Sequence, residues 1–326
     1  MPTLRDSNVL ILGGSGFIGS SLAIRLVDDG ANVTIVDSML PQYGGNLANL
    51  ESIVDKVSIN FSDIRDQHSL RYLVKGQDFI FSLAGQTSHI ESMQDPLTDL
   101  EINTKAQISV VEMCRQFNPK AVLVFASTRQ FYGRPQYLPV DEKHPLEPVD
   151  VNGINKLAGE LYYALYSRVY DMCCVSLRLT NTYGPRQQVR GTSQGFAGSF
   201  VRKAISGEPI EIFGDGQQRR DFNYIDDVVD ALLLAAQTPE LAGSAVNLGA
   251  PNNYSLLDFV TILQKFCDFE YRLKPFPPEY DSIDIGDYYA DYSLFKEKTG
   301  WEAKVDLEEG LRRTVEYFAP RREKYW

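Results

Sequence analysis

The stretch Val9-Leu10-Ile11-Leu12-Gly13-Gly14-Ser15-Gly16-Phe17-Ile18-Gly19 decides the fold, because an apolar run passes directly into spaced glycines and then into a helix-like segment. A dinucleotide-binding turn has this form. It needs a tight reversal at the first glycine, close approach to a pyrophosphate at the second, and close helix–strand packing at the third. The helix starting near Phe17 aims free N–H groups and the positive end of its dipole at the phosphates. Gly13, Ser15, Gly16, Phe17, Ile18 and Gly19 are therefore read as cofactor contacts. A second apolar run, Val33-Thr34-Ile35-Val36, ends in Asp37. A carboxylate there accepts from an adenosine ribose 2′-OH and repels a 2′-phosphate, so NAD is expected rather than NADP.

Outward from this turn, apolar strand-like runs recur at 57–59, 79–83, 121–126, 173–179 and 245–248. Helix-period stretches at 17–28, 69–73, 103–117 and 155–169 separate most of them. Strands alternating with helices predict a doubly wound parallel sheet, the α/β class, with right-handed crossovers. The text changes at Thr182 to Arg190, followed by Gly191, Gly195 and Gly198, which reads as a loop leaving the sheet. Val201–Ile205 and Leu256–Cys267 read as helices and Pro275–Gly286 as an irregular, aromatic, acidic segment. The expected organisation is a cofactor domain of 1–180 plus about 223–250, and a smaller C-terminal α/β substrate domain of 181–222 and 251–326.

Composition narrows the partners. The 326 residues carry 32 basic and 43 acidic side chains, a net charge of −11, which repels nucleic acid and anionic membrane. An anionic substrate then requires a local basic pocket. Cys114, Cys173, Cys174 and Cys267 have no metal-ligand spacing and read as reduced core thiols, so no metal is expected. No apolar stretch approaches the ~20 residues of a membrane span. The expectation is a soluble, cytoplasmic protein without membrane or nucleic-acid partners.

Ligands of open α/β sheets bind beyond the carboxyl ends of the strands, so the residues just after each strand carry the chemistry. Asp63-Ile64 follows the third strand and reads as an adenine bracket or as a surface turn. Leu83-Ala84-Gly85-Gln86 follows the fourth, where small residues let the backbone approach a nicotinamide ribose. His89 comes shortly after, either a structural hydrogen-bonder or a base. Ser127-Thr128 follows the fifth strand, where a hydroxyl binds a substrate alcohol or caps a helix. Lys156 stands in Asn152-Gly153-Ile154-Asn155-Lys156, a site lysine or a solvated one.

Taken together these residues resemble the extended short-chain dehydrogenase/reductase family, in particular its NAD-dependent nucleotide-sugar epimerases and dehydratases, over nearly the whole chain. The resemblance rests on the glycine turn, Asp37, Ser127-Thr128 with Tyr132-Gly133, Lys156 to Glu160, Arg178 with Asn181, and Tyr183-Gly184-Pro185. Arg220-Asp221-Phe222, Tyr224 to Asp227 and Gly300-Trp301 extend it. It implies a Rossmann fold, Lys156 on the nicotinamide ribose, Thr128 at the reacting sugar hydroxyl, and Asn181 with Arg220 on a sugar-nucleotide diphosphate. A guanidinium at 220 also suits bidentate phosphate contacts independently. It further implies a homodimer through the helices near 103–117 and 155–169.

The chain departs from the family at three places. The catalytic Tyr lies four residues before the Lys, and here that position is Asn152, which cannot ionise as a phenol can. Tyr132, His89 and Asp150 are candidate substitutes. Members that eliminate water across C5 and C6 carry Asp-Glu after the Ser-Thr pair, whereas this chain has Arg129-Gln130, which disfavours a 4,6-dehydratase. Arg129 reads as a partner for an acidic substrate group or as a salt-bridge residue. Asp284 stands where relatives often place a diphosphate-binding arginine. The reading that follows is an NAD-dependent sugar-nucleotide epimerase acting through a transient keto sugar, with Thr128, Asn152, Lys156 and Tyr132 as catalytic candidates. The alternatives are a catalytically silent NAD-binding sensor or partner protein, and a sugar-nucleotide decarboxylase or 4-dehydrogenase.

Overall fold

The computed structural model of the chain describes residues 4–190, 195–278 and 282–326. Its main sheet is formed by β1 (Asn8–Leu12), β2 (Asn32–Val36), β3 (Ser58–Asn60), β4 (Phe79–Ser82), β5 (Val122–Thr128), β6 (Cys174–Leu179) and, later in the chain, Ala245–Asn247. These are the seven runs expected from sequence. Their spatial order is Ala245–Asn247, β6, β5, β4, β1, β2, β3, with every pair parallel. The order reverses between β1 and β4, which opens a crevice at their carboxyl ends.

Both faces of this sheet are covered, so its strands are apolar throughout rather than alternating. Val9 and Ile11 of β1 point into one layer with Leu22 and Leu26 of α1 (Phe17–Asp28). Leu10 and Leu12 point into the other, with Leu70 of α2 (Gln67–Leu73). Two short helices follow β4, α3 (His89–Gln94) and α4 (Pro96–Leu100). A π-helical turn, Glu101–Lys105, then leads into α5 (Ala106–Phe117), which packs on that second face beside the long α6 (Val151–Tyr170).

Beyond β6 the chain builds a smaller unit. β7 (Asn181–Tyr183) pairs in parallel with β9 (Arg219–Tyr224), and β9 pairs antiparallel with β11 (Asn253–Ser255). β8 (Ile210–Phe213) pairs with β12 (Tyr271–Lys274), and Ala245–Asn247 is β10. The segment read as a loop from Thr182 therefore begins as strand, because Asn181 to Tyr183 find a partner 41 residues away in β9. Gly191 and residues 279–281 of the Pro275–Gly286 segment lie outside the described residues.

Of the helices here, α7 (Phe196–Ser206) and α9 (Leu256–Leu263) contain the expected periods, the latter stopping four residues before Cys267. The periodic run Ile225–Gln237 forms α8 and packs against α1; the sequence motif covers only its first residues. No described helix is long and apolar enough to cross a membrane.

Candidate active site

The glycine turn opens one end of a cleft of about 620 Å³. Gly13 adopts φ +84°, a conformation that costs other residues free energy. A Cβ on Gly19 would stand 2.2 Å from Gly13 O, so helix and strand can approach only with glycine there. No side chain caps the first turn of α1, and Gly13, Gly16, Phe17, Ile18 and Gly19 line the cleft wall. Ser15 lies beneath the turn instead, fully buried, with its Oγ unpartnered.

Asp37, at the end of β2, also lines the cleft and organises this turn. Its Oδ2 accepts from Ser15 N and its Oδ1 from Met39 N, both at 2.9 Å. Burial lifts its carboxyl above the usual range while the two backbone donors oppose that rise. Asp63 and Ile64 sit on the same wall, with the Asp63 carboxylate held by Arg65 at 2.7 Å. Leu83, Ala84 and Gly85 continue the wall toward the middle of the cleft. An uncapped helix start, an uncrowded turn and an acceptor at the end of β2 fit an adenine dinucleotide.

The middle of the cleft holds Lys156, on α6. Its Nζ donates to Ala126 O at 3.3 Å, and a Cβ on Gly85 would stand 2.8 Å from it, so the bare glycine makes room for the ammonium. Burial drags its pKa down to about 8, against the pull of nearby Asp99. Thr128 ends β5 on the cleft, its Oγ1 accepting from Gln130 N at 3.2 Å.

Asn152 lies one turn of α6 before Lys156 and is 2% exposed. Its Nδ2 donates to Gln86 O at 2.9 Å and Asp99 Oδ2 at 3.0 Å, with Gln86 Oε1 at 3.2 Å. Asn103 Nδ2 also reaches Asp99 Oδ2, at 3.0 Å, and Asn155 Nδ2 reaches Oδ1 at 2.8 Å. A buried carboxylate costs several kcal/mol unless it is paired or fully hydrogen-bonded, and three carboxamides meet that demand here. The π-helical turn carries Asn103 into this cage, a use of such turns that recurs at functional sites. Sequence reasoning missed the cage. Asp99 and Asn103 one helical turn apart were its only local signal, and the remaining members arrive from α6.

His89 and Asp150 come together at the same level. His89 lines the cleft with its Nδ1 2.9 Å from Asp150 Oδ2. Asp150 caps α6 by accepting from Gly153 N at 2.6 Å, and accepts from Gln130 Nε2 at 2.8 Å. Burial pushes the Asp150 carboxyl upward, but His89, Gly153 and Gln130 outweigh it and hold the pKa below the usual carboxylate value.

Two arginines furnish the far end. Arg129 lies over the Tyr288 ring at 4.9 Å and donates to Asn181 Oδ1 at 3.2 Å, while its Nη1 is buried and unpartnered. Arg220 donates to Arg219 O and Gly286 O and stands 3.7 Å from Asp284. Burial and the neighbouring Arg129 charge lower the Arg220 pKa to about 10. The buried Asp221, absent from the sequence reading as a site group, is pushed up to about 6 by burial. Arg129, Asn181 and Arg220 all line the cleft, giving the local positive charge that an acidic chain needs for an anionic ligand.

Two candidates are not brought to reacting positions. Tyr132 is fully buried outside the cleft, donating to Asn247 Oδ1 at 2.8 Å and accepting from Arg178. Burial raises its pKa to about 12, so a free phenol for proton transfer is not found at this position. Ser127 reaches the cleft wall, but its Oγ donates to Glu160 Oε2 at 2.6 Å. Glu160 in turn pairs with Arg178 at 2.6 Å, which makes Ser127, Glu160, Arg178 and Tyr132 one buried chain. Ser127 lies near the end of β5 and Tyr132 just beyond it, and sequence position alone could not tell a side chain facing the cleft from one facing α6.

Residues 9–249 match the model of the NAD dependent epimerase/dehydratase family. The chain belongs to that family. It is 32% identical over 312 residues to a putative UDP-glucose 4-epimerase of Methanocaldococcus jannaschii, covering 95% of this chain and 97% of that protein. The UDP-glucose 4-epimerase of Thermotoga maritima, solved with UDP-glucose, superposes with a TM-score of 0.87 at 32% identity, over 95% of this chain and 98% of that one. The Thermus thermophilus UDP-glucose 4-epimerase, solved with NAD, gives a TM-score of 0.85 at 28% identity, with 95% and 98% covered. The cofactor of this family is NAD, in agreement with the glycine turn and Asp37.

Proposed function

We infer that the protein interconverts epimers of a sugar nucleotide through a transient keto sugar, NAD being regenerated in each turnover. Bound NAD supplies reversible acceptance of a hydride from a ring carbon. Gly13, Gly16, Gly19 and Asp37 would hold its adenosine half, and Lys156 its nicotinamide ribose. Thr128 would hydrogen-bond the reacting hydroxyl, while Asn181, Arg129 and Arg220 would receive the anionic part of the substrate. The observation that carries this reading is the continuity of one cleft from the glycine turn past Lys156 and Thr128 to the two arginines. A module that only stores NAD has no use for the last three. Asp284 beside Arg220 offsets part of its charge, so Arg129 with its unpartnered Nη1 is the stronger anchor. Turnover of a sugar-nucleotide panel, followed by chromatography of the epimers, tests the reading. Neither turnover nor a reduced-nicotinamide absorbance with any member would sink it.

The carboxamide at 152, tied into the Asp99 cage, favours a second reading, an NAD-binding sensor without catalysis. Asn152→Tyr separates the two. Activity created from none supports the sensor, and loss of an existing activity supports a rebuilt site. Release of CO₂ or net accumulation of NADH would instead indicate a decarboxylase or a 4-dehydrogenase.

The proposed assembly is a homodimer through α5 and α6. Leu161 is 57% exposed, and Ile154, Leu165, Leu97 and Leu100 are exposed with it. Burying the exposed half of such a side chain contributes roughly 1 kcal/mol. Leu161→Glu should shift the protein toward monomer in sedimentation, and a monomeric wild type would end the proposal.

A further inference from the structure

Oxidation of a secondary alcohol releases the hydroxyl proton as well as the carbon's hydrogen, so the site needs a group that gains and loses a proton near neutral pH. Position 152 offers none. A carboxamide does not titrate, and both its donors are engaged with Gln86 and Asp99. Tyr132 is buried elsewhere. His89 is the one imidazole among the described residues lining the cleft.

Its setting is asymmetric. The buried Nδ1 faces the Asp150 carboxylate at 2.9 Å, while the side chain as a whole is 38% exposed. One edge of the ring is therefore turned to a carboxylate, and the rest opens on the cleft that Thr128 and Gln130 also line. Asp150 is itself fixed on three sides, by His89, Gln130 Nε2 and Gly153 N at the positive end of α6. The carboxylate faces Nδ1 at ion-pair distance without the alignment of a hydrogen bond; its negative charge favours the proton on Nδ1, which leaves the Nε2 lone pair as a base.

We propose that His89, positioned by Asp150, takes and returns the sugar hydroxyl proton in the role the family gives to a phenol. The proposal rests on the epimerase reading. The sugar O–H bond breaks toward His89 Nε2, and the C–O bond becomes a carbonyl as the carbon's hydrogen departs with its electron pair. The sugar loses two electrons, which bound NAD would accept. When that pair returned to the opposite face of the sugar, the imidazolium would give its proton back to the oxygen and the ring would regain its starting state. Asn152, with its donors spent, keeps only Oδ1 as a hydrogen-bond acceptor and takes no proton.

The test pairs kinetics with a readout independent of turnover. His89→Gln should lower kcat about 10³-fold, within the range for loss of a general base, while the KM for the sugar nucleotide and the NAD affinity change less than threefold. In the cofactor-free protein labelled with ¹⁵N-histidine, three imidazoles report: His68, His89 and His144. The signal that His89→Gln removes should be that of an Nδ1–H tautomer. Asp150→Asn, which preserves the helix cap, should mix in the Nε2–H tautomer and lower kcat about thirtyfold. Retained kcat in His89→Gln, or an Nε2–H tautomer in the wild type, overturns the proposal while an active wild type leaves the epimerase reading standing. A wild type inactive on every sugar nucleotide overturns that reading, and the base with it.

Discussion

The two ends of the cleft are built from different materials. At the NAD end the backbone does most of the work: a positive-φ glycine, an uncapped helix start and a contact that excludes even a Cβ. At the sugar end buried side chains do it, with Asp99 caged by three carboxamides, Asp150 shared by His89 and Gln130, and two arginines in contact with the same lining. Backbone sites depend on which residues are absent, and side-chain sites on which are present. The largest effect is expected where nothing can yield. Gly19→Val places a branched side chain against Gly13 O and should abolish NAD binding, with loss of several kcal/mol of stability from overpacking. NAD titration and thermal melting check this, and affinity within threefold of wild type would break the contrast between the two ends.

The cage at the sugar end should fail less completely. Asp99→Asn replaces an acceptor pair with one acceptor and one donor, so at least one of the carboxamide N–H groups of Asn103, Asn152 and Asn155 loses its partner. An unsatisfied buried donor costs ~1–3 kcal/mol, and a fall of about 2–3 kcal/mol in urea denaturation is expected. A change under 0.5 kcal/mol would show that the cage is incidental.

The same contrast explains what was legible in the sequence. The seven strands, the glycine turn and Asp37 are local patterns, and each can be read within a dozen residues. Lys156 and Thr128 were found because their position after a strand or within a motif fixes where they point. Asp99 was not, since its partners come from the π-helical turn and from α6, 53 and 56 residues away for Asn152 and Asn155. Tyr132 and Ser127 misled for a related reason. Their place at and just beyond the carboxyl end of β5 is right for a site, but Arg178 and Glu160 draw their hydroxyls into a buried chain.

Lys156 stands where the two ends meet, and its titration sharpens the comparison. Burial puts its folded-state pKa at about 8, below the ordinary 10.5. Below about pH 8 folded and unfolded chains both hold the proton, and the full desolvation cost applies. As the pH rises from about 8 to 10.5 the folded state has released a proton that the unfolded chain still binds, so stability from this group increases, by about 3 kcal/mol. Lys156→Met should be more stable than wild type at pH 7, with the difference shrinking toward pH 10.5. Parallel stability curves for the two proteins across that window would show that the ammonium is not desolvated.

The smallest effect is expected outside the cleft, at the phenol that the structure removes from the candidate base set. Tyr132→Phe deletes a hydroxyl that donates to Asn247 and accepts from Arg178, while the ring keeps its packing against Phe131 and Tyr288. Arg178 retains its pairing with Glu160, so the charge stays compensated, while one guanidinium N–H and Asn247 Oδ1 each lose a partner. A loss of about 1–2 kcal/mol follows from these unmet groups, visible as a fall in Tm of a few degrees. Because the hydroxyl faces neither Thr128 nor the cleft, kcat should remain within twofold of wild type. A drop of a hundredfold in kcat with unchanged stability would return Tyr132 to the chemistry, and would mean that the sugar end reaches deeper into the fold than the cleft's lining indicates.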